Sequence, residues 1–478
     1  MNALPLALFW MLALWGTASR RPVLLYLFFA TMPFGAMAAI PTTLTGGLTL
    51  TPTPIVALLL IARTFADRRG VAEFVTLAVL PQRLMLLSLF WLVAAVTTAF
   101  MPRLFAGEVM VVPVRGVVDA PQPLHPTAQN LSQFIYMTIA VLSAFAFARL
   151  LRTPGMQQHA FSAIGLGGLV TAVTGLLDQA SEFLPLAPLL APFRTATYAL
   201  LTEVEVFGGK RVVGFMPEAS AYGGLCLAFL SALYFYRRAM DDPRLRDVLV
   251  PLVLILLVLC AWLSKSSGTY VGLGILLAMA ALEWSLRIGA RAQGGNPQRR
   301  GLRAEMATTA CLVITVALIA LLRPQWLDPV HALVERMVLE KQESSSFVER
   351  GMWRAAATAA LAQTHGLGVG LGATRASSSV VAVFSGTGLI GGLLLHAFIL
   401  QSLMRRPPHA RSGEVMALAA FRYSFVAPFL VSLMVGDADF GGITAFGLGL
   451  ATAIGADGRR SRQVDRHCLK APELHASG

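Results

Sequence analysis

Long apolar stretches separated by short polar connections run along most of the chain. Thirteen of them approach the roughly 17–25 apolar residues that a helix needs to cross a bilayer. The pattern therefore predicts an all-α, polytopic transmembrane protein with about 12–13 spans. The predicted spans are 2–17, 23–41, 47–63, 82–101, 131–150, 159–177, 220–236, 248–263, 268–285, 306–322, 378–403, 416–435 and 440–456. A further apolar piece at 71–81 is predicted to lie in the membrane interface.

Composition supports a membrane protein. Hydrophobic residues make up 56% of the 478 residues and charged residues only 13%, whereas soluble proteins average about 25% charged residues. The mean hydropathy is +0.67. A formal net charge of +13 can indicate a nucleic-acid partner. Here the arginines cluster in short connections between spans, so no nucleic-acid partner is predicted and the charge is read as a determinant of topology.

The arginine clusters also predict an orientation. They fall in every second connection, as at Arg20–Arg21, Arg237–Arg238 and the tail after Arg459. The positive-inside rule then places the N-terminus outside and the tail, 457–478, in the cytoplasm. The four cysteines have no metal-ligand spacing. Neither a metal nor a cofactor is predicted.

This topology divides the chain. Residues 1–322 form the first ten spans, with outward segments at 102–130 and 178–219. Residues 323–377 form a large outward loop with short amphipathic helices, and 378–456 form the last spans. The first of those helices, within 327–338, is predicted to lie in the membrane interface or to be a plain packing helix.

The stretch from Ser344 to Gly392 concentrates candidate chemistry. Ser346 and Glu349 form a capping box that opens a helix, on which Arg350 and Arg354 project together. Gly366, Gly368, Gly370 and Gly372 alternate behind it, and successive N–H groups of such a run can form an anion nest. Arg375 and Ser377 follow at the edge of a span. The alternatives are a solvated arginine face, a flexible glycine loop and an arginine that snorkels to the interface.

Two other outward segments add charge to the same predicted face. Lys210 and Arg211 precede Glu218, which would lie at the mouth of a span. Such a group can bind phosphate and accept a proton, or it can be a simple interfacial Arg–Glu pair. Lys265 occupies a serine-rich turn, where it either snorkels or adds a further cation. Among the outward histidines, His365 is the strongest candidate because it abuts the glycine run.

Three blocks carry a resemblance. They are R-x-x-G-x-x-P-E from Arg211 to Glu218, the serine-rich turn within 263–272, and the run from Arg350 through G-x-G-x-G-x-x-R-x-S-S to G-L-I-G at 388–391. At these residues the chain resembles the Wzy/WaaL superfamily of bacterial O-antigen polymerases and ligases, and most of all the exopolysaccharide-type polymerases. Ligases of that superfamily carry a histidine shortly before G-L-I-G, where this chain has serines. The resemblance therefore favours a polymerase.

The resemblance implies a GT-C-like fold and an inverting, metal-independent glycosyltransferase at the periplasmic face of the bacterial inner membrane. The donor would be an undecaprenyl-diphosphate-linked oligosaccharide, and the acceptor a sugar hydroxyl of another lipid-linked repeat unit. Proteins that regulate chain length and export the polymer would be partners, beside the lipid bilayer. A ligase with a different acceptor and a flippase of lipid-linked oligosaccharide are the alternatives.

Roles for individual residues follow from the resemblance and the charge pattern together. Arg211, Arg350 and Arg375 are predicted to hold the diphosphate, and Glu218 to act as the general base. The predicted substrate-binding residues are Lys210, Lys265, Arg354, His365, Gly368, Gly370, Gly372 and Ser377.

Overall fold

The computed structural model describes residues 3–41, 44–45, 49–114, 120–198, 200–206, 209–289, 302–323, 325, 335, 345–406 and 412–457. Within these ranges the chain is mostly helical, as predicted. The helices are α1 (Ala3–Ala18), α2 (Val23–Ala30), α3 (Pro52–Phe65), α4 (Arg68–Val79), α5 (Met85–Leu104), α6 (Ala128–Leu150), α7 (Pro154–Ala180), α8 (Ala187–Leu190), α9 (Ala219–Tyr236), α10 (Val250–Leu263), α11 (Ser267–Gly289), α12 (Leu302–Leu322), α13 (Ser345–Gln363), α14 (Ser379–Met404), α15 (Ser412–Val435) and α16 (Gly441–Asp457).

The described β-structure consists of two short antiparallel hairpins. β1 (Met110–Val111) pairs with β2 (Gln122–Pro123), and β3 (Glu205–Val206) pairs with β4 (Gly209–Lys210). The hairpins lie within the predicted outward segments 102–130 and 178–219. The amphipathic helix predicted within 327–338 and most of the tail after 457 lie outside the described residues.

Within the described ranges, eight helices are long and apolar enough to cross a membrane, so the protein is a multi-pass helical membrane protein. They are α5, α6, α7, α9 with the turn that follows it, α10 with the turn that precedes it, α11, α14 and α15. Three shorter apolar helices correspond to α1, α3 and α16. The predicted span 23–41 is wrong as drawn. Only α2 forms there, and its eight residues cover about 12 Å. Pro33, which lacks an N–H, and Gly35 interrupt the helical run.

Aromatic side chains fill the centre of the helix bundle. Phe28 and Phe29 of α2, Phe147 of α6 and Phe446 of α16 are almost fully buried and meet largely edge to face. Tyr236 of α9 stacks on Phe161 of α7 at a centroid distance of 5.4 Å. Burial of such large rings stabilises the bundle, and their preferred edge-to-face geometry helps to fix how the helices meet.

A buried ion cluster closes one end of the bundle. Glu305 of α12 accepts hydrogen bonds from Arg237, Arg238 and Arg287, and Glu283 of α11 pairs with Arg238 at 2.9 Å. The sequence pattern predicts that the arginines here lie in short connections and determine the topology. The structure instead buries these charges between α9, α11 and α12, where each is offset by an opposite charge.

The other end of the bundle, called the site face below, gathers four connections: 209–218 before α9, 264–266 before α11, 364–378 before α14 and 436–440 before α16. Backbone and side-chain contacts join them. The N–H of Val212 donates to Leu263 O at 3.1 Å, and the hydroxyls of Ser379 and Ser432 lie 2.8 Å apart. The site face therefore contains Arg211 and Arg375, two of the three arginines that the sequence predicts to hold diphosphate, and Arg350 lies on the preceding helix α13.

A break in α14 lets the glycine loop pack closely. Gly388 has φ 72° and ψ 179° inside the helix, a conformation open essentially to glycine alone. A Cβ added there would lie 2.5 Å from the carbonyl oxygen of Leu367. A Cβ at Gly368 would lie 2.6 Å from the backbone nitrogen of Gly388. The loop and the helix thus meet backbone to backbone, and this contact fixes the loop ahead of Arg375.

Replacing Gly388 with alanine is expected to destabilise the protein, because the added methyl group is strained and meets the Leu367 carbonyl. The cost should be about 1–3 kcal/mol, visible as a lower apparent Tm in detergent. Gly274→Ala in α11 is the control, since a Cβ there meets nothing within 4 Å. The control should leave Tm unchanged or raise it slightly. Equal Tm values for the two variants would contradict the close contact.

Candidate functional site

Arg211 lies where the connection before α9 meets the turn before α11. Its backbone N–H donates to Val204 O at 3.1 Å, and its Nε donates to Ser264 O at 3.3 Å. Partial burial lowers the pKa of Arg211. The negative charge of Glu218 opposes this lowering, and the positive charge of Arg350 adds to it. Arg211, Glu218 and Arg350 therefore interact electrostatically although they are far apart in sequence.

Arg375 is anchored on a different set of groups. Its guanidinium lies over the ring of Trp353 with the carbon 4.8 Å from the centroid, and its Nη2 donates to Val114 O at 3.0 Å. Its backbone N–H donates to Val112 O at 2.7 Å. A cation over a tryptophan face is held in place while keeping its full charge. The half-buried guanidinium is thus oriented before any ligand arrives.

Asp437, in the connection before α16, interacts electrostatically with residues of both regions, Glu218 near Arg211 and Arg375 itself. Its pKa is raised by burial and by the negative charge of Glu218, and lowered by the positive charge of Arg375. The residue is exposed and lines a cavity together with Arg375. Asp437 therefore links Glu218, on the Arg211 side, to Arg375. We refer to Arg211, Glu218, Arg350, Arg375 and Asp437 as the arginine site.

Arg350 and Ser377 connect α13 to the arginine site. The hydroxyl of Ser377 donates to the backbone oxygen of Arg350 at 2.8 Å, so this serine, predicted to bind substrate, joins two protein segments. Helix α13 begins at Ser345, one residue before the predicted cap Ser346. Arg350 is half-buried, whereas Arg354, one turn later, is exposed. The structure brings Arg350 into the site and leaves Arg354 at the surface.

Several N–H groups of the glycine loop are bonded within the protein, and a contact of Gly370 and Gly372 with substrate stays a prediction. The N–H of Gly368 donates to Thr364 Oγ1 at 3.1 Å, and that of Leu371 donates to Thr98 Oγ1 at 3.2 Å. Val369, between them, donates to Ser385 O at 2.8 Å. These groups are satisfied within the protein and are not presented together to a ligand. A nest needs successive N–H groups that point the same way.

The remaining glycines of the loop are explained by packing. Gly366, Gly368, Gly370 and Gly372 all have φ between +73° and +87°. A Cβ at Gly370 would lie 2.9 Å from Pro102 of α5, and a Cβ at Gly372 would lie 2.6 Å from the backbone oxygen of Gln129 in α6. The run lets the loop approach three helices closely, which accounts for glycine at these positions without a bound anion.

His365 lies two residues after the last residue of α13, in the turn that terminates the helix, and makes no described contact with the arginine site. Its φ is +52°, its N–H donates to Ala362 O at 3.0 Å, and the N–H of Gly366 donates to Leu361 O at 2.9 Å. This pair of hydrogen bonds is a Schellman motif with His365 in the left-handed position. The side chain is exposed. The structure therefore supports a role in ending the helix rather than the predicted substrate contact.

Both predicted lysines make contacts within the fold. Lys210 Nζ lies 3.0 Å from Asp178 Oδ1 and donates to Ser181 Oγ. Lys265 has φ +45°, and its Nζ donates to Gly209 O at 2.8 Å. Partial burial lowers the pKa of Lys265, Glu182 opposes this lowering, and Arg211 adds to it. Lys210 is thus committed to Asp178, and Lys265 supports the segment that carries Arg211.

Asp178 is the buried anchor of that segment. Its carboxylate, 0% exposed, accepts hydrogen bonds from the N–H groups of Val213 and Gly214 at 2.7 and 3.0 Å. It also pairs with Arg194 at 2.6 Å and with Lys210. One carboxylate at the end of α7 therefore holds the connection that ends in the arginine site. The sequence gives no sign of this role, because Asp178 stands alone at the end of an apolar span.

Sequence reasoning also missed the carboxylates of the 436–440 connection. Asp437 and Asp439 border two cavities at the site face. The smaller cavity is also lined by Arg375, Thr374 and Gln133. The larger, of about 260 Å³, is mainly apolar and extends between α9, α14, α15 and α16. Two acids in a short connection between spans were the available signal. Among the described residues, no group of three or more His, Cys, Asp or Glu side chains is arranged to hold a metal ion.

No model of a known protein family matches the chain, and no curated protein matches it. The Wzy/WaaL resemblance therefore stays a prediction.

Asp178→Asn is expected to destabilise the protein by about 3–5 kcal/mol, because it leaves Arg194 and Lys210 without their buried counter-charge. The measurement is thermal unfolding in detergent. Glu203→Gln is the matched control, since the Glu203 side chain is 74% exposed and pairs with the same two cations only at 3.7 and 3.8 Å. Its effect should stay below about 1 kcal/mol. Similar losses for both variants would show that Asp178 is not the anchor.

Proposed function

We propose that the protein is a polysaccharide polymerase. It transfers an undecaprenyl-diphosphate-linked oligosaccharide onto a sugar hydroxyl of a second lipid-linked repeat unit. The observation that carries this proposal is the arginine site itself. Three arginines from separate parts of the chain meet at one end of a membrane helix bundle, with two carboxylates beside them.

The charges suit a diphosphate leaving group on a lipid. Arg211 and Arg350 interact through their positive charges, and such repulsion is relieved when an anion binds between them. Arg375 is held ready by Trp353 and Val114. When the bond between the anomeric carbon and the diphosphate breaks, negative charge develops on the leaving oxygen. Preorganised guanidinium groups stabilise that charge without the aid of a metal ion.

The position at a membrane surface suits a lipid-linked donor. The arginine site lies in connections between membrane-spanning helices. The apolar cavity between α9, α14, α15 and α16 opens beside it. Alternation of arginine clusters along the sequence supports an orientation with the site face in the periplasm and the C-terminal tail in the cytoplasm of a bacterial inner membrane. Donor glycans on undecaprenyl diphosphate would then meet the site after they reach the outer leaflet.

Replacing any one of Arg211, Arg350 or Arg375 with alanine is expected to slow polymerisation by about 10²–10³-fold, because each removes a contact to the leaving diphosphate. The assay incubates purified protein with lipid-linked repeat units extracted from a strain that lacks it. Ladder formation is followed on a gel. Arg103→Ala is the control, because Arg103 is an exposed arginine at the end of α5, outside the arginine site.

The control variant should match the unmodified protein. A ladder formed at full rate by all three site variants would contradict the site. Absence of any ladder from the unmodified protein would contradict polymerisation. Release of undecaprenyl diphosphate without a ladder would indicate a ligase that uses a different acceptor.

Location of the stalled intermediate tests the orientation. Loss of a polymerase should leave single lipid-linked repeats in the outer leaflet, where they are accessible to added glycosidase in intact spheroplasts. Accumulation in the inner leaflet would instead indicate a flippase and would contradict the proposal.

A further inference from the structure

The connection between α15 and α16 carries two carboxylates that differ in what they contact. Asp439 Oδ1 accepts a hydrogen bond from the N–H of Gly441 at 2.9 Å, at the start of α16. The Asp439 carboxylate therefore has a structural role, as a hydrogen-bond acceptor for the backbone at the start of α16. Among the described residues, none donates a hydrogen bond to the carboxylate of Asp437. A carboxylate set beside a charged site without a structural bond is available for chemistry.

Glu218, the other carboxylate of the arginine site, accepts a hydrogen bond from a described residue of the protein, unlike Asp437. Its Oε1 accepts a hydrogen bond from the hydroxyl of Ser220. It also lies in the field of Arg211. Its backbone oxygen accepts from the N–H of Tyr222 at 3.1 Å in the first turn of α9. Glu218 therefore stands at the N-terminus of α9 and stabilises the positive charge of Arg211.

The surroundings of Asp437 suit a group that meets substrate. Asp437 borders the small cavity that also contains Arg375, and it borders the mouth of the apolar cavity between α14 and α15. An acceptor hydroxyl that approaches a sugar held over Arg375 would enter the small cavity. The charged groups facing Asp437 are Arg375, Glu218 and Asp439. His396 of α14 lies farther along the apolar cavity, where its Nδ1 bonds to Gly392 O.

We propose that Asp437, and not Glu218, accepts the proton of the attacking sugar hydroxyl, while Glu218 contributes negative charge to the site. This inference rests on the proposed function. In the step, the acceptor oxygen forms a bond to the anomeric carbon while the bond from that carbon to the diphosphate oxygen breaks. The hydroxyl proton passes to the Asp437 carboxylate and then to water. Undecaprenyl diphosphate leaves as an anion held by the arginines.

The electrostatics support this role. Burial and the charge of Glu218 raise the pKa of Asp437 above its usual value, so the carboxylate is a stronger base than an ordinary aspartate. A base acts only when it is deprotonated. The rate should therefore fall as pH drops through the raised pKa, and this acid limb should lie above the usual aspartate range near 4.

Asp437→Asn tests the proposal directly. It should slow ladder formation by about 10²-fold or more, because the amide cannot take a proton. Its apparent Tm should be unchanged, and its affinity for undecaprenyl diphosphate should stay within twofold of that of the unmodified protein. Asp439→Asn is the control from the same connection, since asparagine can still accept the bond from Gly441. The Asp439→Asn control should form ladders at the rate of the unmodified protein.

Glu218→Gln supplies a second readout that does not require a folded Asp437 variant. Removing the negative charge of Glu218 should shift the acid limb of the rate to lower pH, because the pKa of Asp437 falls when that charge is gone. If Glu218 were itself the base, the acid limb would disappear together with most of the rate.

The outcomes separate the two proposals. A ladder from the unmodified protein, with Asp437→Asn folded and equally fast, would overturn the assignment of Asp437 and leave the polymerase intact. Loss of the acid limb in Glu218→Gln would overturn it too. No ladder from the unmodified protein would overturn the proposed function, and the assignment of Asp437 with it.

Discussion

Holding like charges close together costs free energy, and the arginine site depends on how the fold offsets that cost. Arg211 and Arg350 interact unfavourably, so neither draws the other into place. Arg211 and Arg375 are instead anchored by their own segments. The buried carboxylate of Asp178 holds the connection before α9, and backbone contact at Gly388 holds the loop before Arg375. The helix bundle thereby keeps a positively charged site assembled, as the proposed stabilisation of a leaving diphosphate requires.

The helices and the arginines were predictable from sequence, because both depend on local signals. Hydropathy indicates where helices cross the membrane, and arginines between apolar spans are conspicuous. Arg211, Arg350 and Arg375 were identified in this way. The length of α2 could not be predicted, because the stretch 23–41 stays apolar after the helix ends at Ala30. The buried ion cluster could not be predicted either, because its arginines lie next to connections in the sequence and their partners lie on helices distant in sequence.

Which polar groups remain for chemistry could not be predicted, because that depends on contacts between distant segments. Lys210 is committed to Asp178, and the N–H groups around Gly368 are bonded within the protein. Both have the composition of an anion site, and both make bonds within the fold that composition does not reveal. Asp437 shows the reverse. Asp437 lies in a short connection whose sequence shows no functional motif. It is a candidate for chemistry because the fold brings it near Arg375 and Glu218.

The most direct test of the arginine site is calorimetric titration of the detergent-solubilised protein with a short-chain polyprenyl diphosphate and with the polyprenyl alcohol of the same length. The two ligands differ only in the diphosphate, so their difference in affinity measures what the arginines contribute. The structure predicts that the diphosphate binds at least about 10-fold more tightly, since charge-assisted hydrogen bonds contribute about 1.5–3 kcal/mol each. It also predicts that this preference is lost when Arg211 and Arg375 are both replaced. Equal affinity of the unmodified protein for the two ligands would contradict a diphosphate site.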